Sequence, residues 1–227
     1  MTLSRYGNHA IEHVIVFDLD DTLYLERDYV ESGLSAVGRW AAARLGLEDL
    51  GAVMLDRFRR GARTRIFDDS LAQLGGDASP PMIARMLAVY RQHAPSITLA
   101  DDVTRYLRDP PPKTAFSIIT DGFLDAQRRK LRALDVYRYG IRFGICTDRW
   151  GRPYWKPNPH AFVQTQQAFG LPAKQFSYIA DNPHKDFVAP TTLGWRTIRI
   201  DRPGRIHQQS QGHVVDASRV IATLQEI

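Results

Sequence analysis

Asp18-Leu19-Asp20-Asp21-Thr22 directly follows the apolar run Val14-Ile15-Val16-Phe17, so two carboxylates stand two residues apart where a strand must end. Open α/β sheets hold their ligands at the carboxyl ends of strands. Alternation along a strand points Asp18 and Asp20 to one side, and the backbone must turn soon afterwards. Both can then face one crevice, with the Asp18 side chain and the Asp20 carbonyl reaching one cation. Such oxygen donors suit Mg²⁺. A plain acidic surface turn would show the same letters, so the reading depends on what else the chain brings to the same place.

Three further pieces follow in order. Phe116-Ser117-Ile118-Ile119 runs into Thr120-Asp121-Gly122, a hydroxyl and a flexible backbone amide that can hold phosphate oxygens. Lys156-Pro157 precedes Asn158-Pro159, an N-cap and first helical residue by type, which places the Lys156 ammonium on a loop facing the cleft. Phe176-Ser177-Tyr178-Ile179-Ala180 leads to Asp181-Asn182-Pro183-His184-Lys185-Asp186, a second acidic loop at a strand end. One aspartate there can complete the metal site.

With these four pieces in this order, the chain resembles the haloacid dehalogenase-like (HAD) hydrolase superfamily, phosphatase branch. The family's motifs read here as Asp18-Leu19-Asp20-Asp21-Thr22, Thr120 after Ile118-Ile119, Lys156-Pro157, and Asp181 with Asp186. The resemblance extends from about residue 14 to the end. One departure is Ala180, where the family commonly has glycine; alanine is small enough to be tolerated.

The resemblance implies a division of labour. Asp18 is the nucleophile and forms an aspartyl-phosphate, dividing one hard displacement into two. Asp20 protonates the leaving alkoxide and then activates water. Mg²⁺ is held by Asp18, Asp20 and Asp181, while Asp186 orients water or Lys156 from outside the metal's own ligands. Thr120 and the Asp121 and Gly122 amides, with Lys156, hold the phosphate oxygens. The two roles call for different protonation states, with Mg²⁺ and Lys156 keeping Asp18 ionised.

These residues need a frame to hold them. Residues 14–17, 115–119, 141–145, 176–180 and 196–200 are apolar or β-branched runs of strand length. Residues 123–135, 159–169 and 186–193 have helical patterns, with Gly170 and Gly194 as C-terminal caps. Pro190 falls in the first turn of the last of these, where its missing amide hydrogen costs least. The alternation implies a three-layer, Rossmann-like α/β core with a mainly parallel sheet. Val214-Val215 and residues 217–224 suggest a last short strand and a closing helix.

Residues 24–96 are too long for an ordinary βα connection. Val30, Leu34, Val37, Ala41 and Leu45 keep one helical face up to Gly46, and Ser79-Pro80 opens a segment with Met82, Met86, Leu87 and Tyr90. Between them, Leu55, Phe58, Ala62 and Ile66 make one stripe of an arginine-rich helix whose Arg57, Arg59, Arg60, Arg63 and Arg65 form its wet side. Residues 1–23 and 97–227 are therefore expected to form the core, and residues 24–96 an α-helical cap of the family's C1 type. A bundle packed beside the core would show the same periodicity.

Composition narrows the function classes. Hydrophobic residues are 44% and charged residues 24% of 227, the balance of a globular protein. No apolar stretch approaches a membrane span, and the first 13 residues, with Arg5, His9, Glu12 and His13, lack a signal peptide's apolar centre, so a cytoplasmic location is expected. Cys146 is the only cysteine, which excludes an intrachain disulfide. A net charge of +5 favours an anionic ligand. The arginines are scattered, Arg128, Arg129, Lys130 and Arg132 read as a solvated face, and no nucleic-acid-binding signature is present.

The expected function is Mg²⁺-dependent hydrolysis of a small phosphomonoester, a sugar phosphate or nucleoside monophosphate. Trp150, Tyr154 and Trp155, just before Lys156, would form either a wall over the leaving group or core packing. A haloacid dehalogenase needs neither Asp20 nor Mg²⁺. A phosphomutase uses the same two aspartates, and a noncatalytic binding protein on this fold would leave the intact set without purpose.

Overall fold

The computed structural model describes residues 11–206 and 215–227. They divide into two compact units, one made of the described residues up to Glu26 together with those from Thr98 onward, the other Arg27–Ile97. Along the chain, β1 (His13–Phe17) leads to α1 (Glu26–Leu45), α2 (Leu50–Arg59), α3 (Ile66–Gln73), α4 (Pro80–Gln92) and α5 (Asp101–Arg108). Then follow β2 (Thr114–Thr120), α6 (Leu124–Ala133), β3 (Ile141–Cys146), α7 (His160–Phe169), β4 (Phe176–Ala180), α8 (Val188–Thr192), β5 (Arg196–Ile200) and β6 (Arg219–Ile221). No described helix is long and apolar enough to cross a membrane.

The six strands form one sheet in the order β3-β2-β1-β4-β5-β6, every neighbouring pair parallel. Strand order reverses beside β1, and the carboxyl ends of strands flanking such a reversal open onto a crevice. Register brings Phe17 opposite both Ile118 of β2 and Ile179 of β4, so the loops that begin at Asp18, Asp121 and Asp181 leave the sheet at one edge.

The strands at the middle of the sheet are covered on both faces, which is why β1 reads as an apolar run and β2 and β4 are mostly apolar. Val14 and Val16 pack with Phe176 and Tyr178 of β4, Ala161 and Phe162 of α7, and Ala189 of α8. On the other face Phe116 meets Phe17 at 5.8 Å between ring centroids and Tyr106 of α5 at 5.9 Å. Phe162 sets its ring edge against Tyr178 at 4.9 Å and Trp195 at 5.5 Å. Its loss to alanine would cost about 3–5 kcal/mol and loosen the strand that leads to Asp181.

In the helical unit, α1 buries Leu34, Val37 and Ala41 and stops at Gly46, which has a positive φ of 68°. The arginine-rich stretch is not one helix. Gly61, at φ 100°, receives the end of α2, and Arg65 adopts φ 55° before α3 starts, so Ala62 and Ile66 leave the stripe of Phe58. The buried residues of α2 are Leu50, Met54 and Phe58. Arg59, and Arg60 just after the helix, do lie on the wet side, pairing with Glu31 at 2.6 Å and Asp56 at 3.0 Å, whereas Arg57 buries its Nε.

The last strand is Arg219–Ile221, not Val214-Val215; Val214 lies outside the described residues and Val215 is in no strand. Ser218 decides the register, since its amide donates to Thr197 Oγ1 and its hydroxyl to the Thr197 carbonyl of β5. The expected closing helix is a single turn, Leu224–Glu226, with a capping box between Thr223 and Glu226. Helix α5 has no counterpart in the sequence reading, although Asp101 and Asp102 in its first turn and Arg105 and Arg108 in its last mark its ends.

Asp102 ties the C-terminal turn to the loop after β1. Its carboxylate accepts both Arg202 guanidinium nitrogens at 2.8 and 3.0 Å and the Leu224 amide at 2.9 Å, while Arg202 Nε donates to the Thr22 carbonyl. Burial raises the Asp102 carboxyl's pKa, but Arg202 and Leu224 outweigh it and hold it below the usual aspartate range. Its stabilisation is complete above about pH 4 and is lost as pH falls through that lowered native value. Asp102→Asn should cost about 2–4 kcal/mol in urea unfolding at pH 7, with the difference from wild type shrinking as pH drops below about 4.

Candidate active site

The turn after β1 separates the first two carboxylates. Asp18 continues the sheet, its amide donating to the Ile179 carbonyl at 2.9 Å. Asp21 takes a left-handed conformation (φ 50°), accepting the Glu26 amide on one oxygen and the Ile206 amide on the other, each at 2.8 Å. The chain reverses there, and Asp20 forms a bridge with Tyr24. As a result the Asp18 and Asp20 side chains enter different hydrogen-bonding sets.

Asp18 joins the Lys156 set. The Lys156 ammonium, fully buried, lies 2.7 Å from Asp18 Oδ1, 2.7 Å from Asp186 Oδ1 and 3.1 Å from the Tyr178 hydroxyl. Burial alone would push the lysine's pKa down, but Asp18 and Asp186 reverse this and hold it well above the ordinary lysine value. Asp186 is fixed in turn by the Asn182 amide at 3.0 Å. Asp121 completes the brace by accepting Thr147 Oγ1 at 2.7 Å and the Lys156 amide at 3.1 Å, with Lys185 Nζ at 3.4 Å from its other oxygen.

Asp181 is the odd member. It is buried, its Oδ2 has no hydrogen-bond partner, and burial together with Asp186, Asp18 and Asp21 raises its pKa well above the usual carboxyl range. Carboxylate oxygens of Asp18, Asp181 and Asp186 lie within 4.8 Å of one another. Two of these buried carboxylates share one fully buried ammonium, and the third, Asp181, has an orphaned oxygen. That donor set fits a hard divalent cation. The side chain of Asp20 is not in this cluster, so its expected part in metal binding falls to its carbonyl.

Asp20 belongs to α6. Lys130 Nζ is 2.7 Å from its Oδ1, the Tyr24 hydroxyl donates to the same oxygen, and Gln127 Nε2 is 2.9 Å from Oδ2. Gln127 Nε2 also lies 2.7 Å from Thr120 Oγ1 and beside the Asp121 carbonyl, so its two N–H groups face three acceptors. A Cβ on Gly122, at φ 125°, would come within 3.2 Å of that amide group. Lys130 is therefore not part of a solvated face; it is buried with Gln127 at the helical spacing i, i+3.

The electrostatics invert the expected division of labour among the protein's own groups. Burial raises Asp18 to about 6, because Lys156 is shared with Asp186. Burial acts on Asp20 too, but Lys130, Tyr24 and Gln127 overcome it and lower its pKa. Of the remaining residues, Cys146 is buried and its thiol pushed up to about 11, so it is no nucleophile at neutral pH. Trp150 and Tyr154 pack around His160 at 4.5 and 5.1 Å, whereas Trp155 donates to Asp148 and meets Phe123 edge-on. His184 has its amide bonded to Asn182 Oδ1.

No family model matches the chain. It is 27% identical over 195 residues to a glyceraldehyde 3-phosphate phosphatase of Methanocaldococcus jannaschii, covering 82% of this chain and 83% of that one. It is 24% identical over 141 residues to a phosphoserine phosphatase of Thermus thermophilus, covering 62% of this chain and 55% of that enzyme. The match thus spans about half the length of the Thermus relative. A HAD-superfamily hydrolase of Geobacter sulfurreducens superposes with a TM-score of 0.65 at 13% identity over 97% of each chain. A 2-haloacid dehalogenase of Pseudomonas syringae does so at 0.62 and 19%, over 94% of this chain and 95% of that one.

The fold is that of haloacid dehalogenase-like hydrolases. Within this fold the structure brings together the side chains of Asp18, Lys156, Asp181 and Asp186, and sets Asp20 and Thr120 on Gln127. Sequence reasoning missed Gln127, Lys130, Tyr178 and the Asp121 carboxylate. The first two had a signal, since their spacing puts them on the face of Leu131 and Leu134.

Since burial and like charges raise the pKa of Asp181, its ionised form destabilises the fold unless a cation is bound. In EDTA, Asp181→Asn should raise stability by about 1–2 kcal/mol at neutral pH, an advantage that vanishes at acid pH where the wild-type carboxyl is protonated. Thermal unfolding across pH checks both. Adding Mg²⁺ should raise the wild-type Tm more than that of the variant.

Proposed function

We propose that this HAD-like chain is a Mg²⁺-dependent phosphatase that hydrolyses a small phosphomonoester, a sugar phosphate or nucleoside monophosphate, through an aspartyl-phosphate. One observation carries the reading: a buried carboxylate, Asp18, sits against Lys156 and near the orphaned Asp181, with a second, separately anchored carboxylate two residues on. The names of the two relatives, a phosphoserine phosphatase and a glyceraldehyde 3-phosphate phosphatase, support a small phosphorylated metabolite as substrate.

Mg²⁺ bound by Asp18, Asp181 and the Asp20 carbonyl would neutralise phosphoryl charge and hold the Asp18 carboxylate ionised. The chain's own groups do the rest. Lys156, a compact charge, draws a phosphate oxygen toward Asp18, and Thr120 with the Asp121 and Gly122 amides donates to the others. An Asp18 oxygen attacks phosphorus while the bond to the leaving oxygen breaks, and that oxygen takes a proton from Asp20. Asp20 then removes a proton from water, which attacks the same phosphorus and releases orthophosphate from Asp18.

The donors on Asp20 favour the carboxylate it must be in the second step. Arrival of a doubly negative phosphate raises its pKa and favours the protonated form needed in the first. Asp186 keeps Lys156 in place. The helical unit Arg27–Ile97 interrupts the core just after the Asp18–Tyr24 loop, which supports reading it as a C1-type cap that selects the leaving group. Carbon–halogen cleavage releases a halide that needs no proton, so the anchored Asp20 favours phosphate over dehalogenation.

Phosphate release should be measured from a panel of sugar phosphates, nucleoside monophosphates and small phosphorylated acids, with Mg²⁺ and with EDTA. Release should require the metal and be lost in Asp18→Asn by at least about 10³-fold. Comparable release by that variant would remove Asp18 as nucleophile. Rearrangement of a sugar phosphate without release would point to a phosphomutase.

A further inference from the structure

We propose that Lys130 and Gln127 of α6 are positioning residues that clamp Asp20 in the orientation from which it serves the leaving group, an inference that rests on the phosphatase reading above. Between them and Tyr24, both oxygens of Asp20 are engaged: Lys130 at 2.7 Å and the Tyr24 hydroxyl on Oδ1, Gln127 at 2.9 Å on Oδ2. Each donor approaches from a fixed place. Lys130 is buried, with only 6% of its side chain exposed, and Gln127 is 1% exposed. A carboxylate on a loop would otherwise choose among rotamers, and a general acid misplaced by even an ångström loses much of its effect.

Helix α6 is suited to this because it is itself held at several points. The Leu124 amide at its start donates to Asp148 Oδ2 at 3.0 Å, and Asp148 Oδ1 accepts the Trp155 indole at 3.0 Å, one residue before Lys156. Farther along, Leu131 lies against Gly144 of β3, where a Cβ would come within 3.2 Å of its side chain. The Gln127 amide group spans Asp20, Thr120 Oγ1 and the Asp121 carbonyl. One side chain therefore sets the acid–base carboxylate and the phosphate-binding hydroxyl relative to each other.

Lys130 touches neither the phosphorus nor the phosphate-binding donors in this account, so its loss should damage proton delivery and spare phosphate binding, whereas loss of Gln127 also frees Thr120. The test compares wild type, Lys130→Met, Gln127→Met and Asp20→Asn, with Mg²⁺, on an alkyl phosphate and on p-nitrophenyl phosphate. The alkoxide departs poorly without a proton, whereas p-nitrophenolate does not need one. For Lys130→Met, kcat/KM on the alkyl phosphate should fall roughly tenfold to a hundredfold more than on p-nitrophenyl phosphate, in parallel with Asp20→Asn, while KM for p-nitrophenyl phosphate stays within about twofold.

Equal losses on the two substrates in Lys130→Met, alongside a leaving-group contrast in Asp20→Asn, would overturn the clamp and leave the phosphatase reading standing. No contrast even in Asp20→Asn would remove Asp20 as the acid and the clamp with it. No release by wild type from either substrate would refute the underlying reading and so the proposal. Should Lys130→Met fail to fold, Gln127→Met, which leaves the buried ion pair intact, must show the same contrast or the proposal fails.

Discussion

A single buried ammonium, that of Lys156, organises the edge of the core unit where β1 and β4 end. Lys156 has no exposed surface on its side chain and lies 2.7 Å from two carboxylates that are themselves buried, one from the loop after β1 and one from the loop after β4. Placing that charge away from water is expensive, and apolar side chains of similar volume would often serve stability as well or better. The arrangement persists only if every member is held. The sheet does this by ending β1 and β4 side by side, Phe162 by packing against Tyr178, and Asp121 by accepting the Lys156 amide.

The same economy explains why Asp20 is kept apart. A fourth carboxylate in the Lys156 cluster would add repulsion to a site where Asp181 already has an orphaned oxygen. The left-handed Asp21 turns the chain, and Asp20 finds its own cation in Lys130. Two carboxylates two residues apart thus stand in opposite electrostatic surroundings, Asp18 raised by burial and Asp20 lowered by Lys130 and its companions despite burial. That difference runs opposite to the needs of a nucleophile and its acid–base partner, and a bound cation beside Asp18 and a phosphate beside Asp20 would each act to reverse it.

Much of this was legible in the residues. The central strands β2, β1 and β4 show as apolar runs because a parallel strand covered on both faces has no polar side to alternate. Asp18, Thr120, Lys156 and Asp181 stand out because each ends such a run or precedes a helix. Gln127 and Lys130 were hidden by their company, since a stretch with Arg128, Arg129 and Arg132 looks like a solvated face and burying an amine there makes sense only beside Asp20, 110 residues away. The break at Gly61 was masked by apolar residues that kept helical spacing across it. At β6, the register depends on Ser218 meeting Thr197, a contact that no local pattern encodes.

The central claim is that the Asp18 carboxylate carries the phosphoryl group. It is tested most directly by rapid acid quench of the enzyme during turnover of a phosphomonoester with Mg²⁺, followed by mass spectrometry of the peptide that contains Asp18. The account predicts a phosphoryl adduct on Asp18 that hydroxylamine removes, as expected of an acyl phosphate. Sustained turnover with Asp18 unmodified at every quench time, or an adduct on another residue, would contradict it.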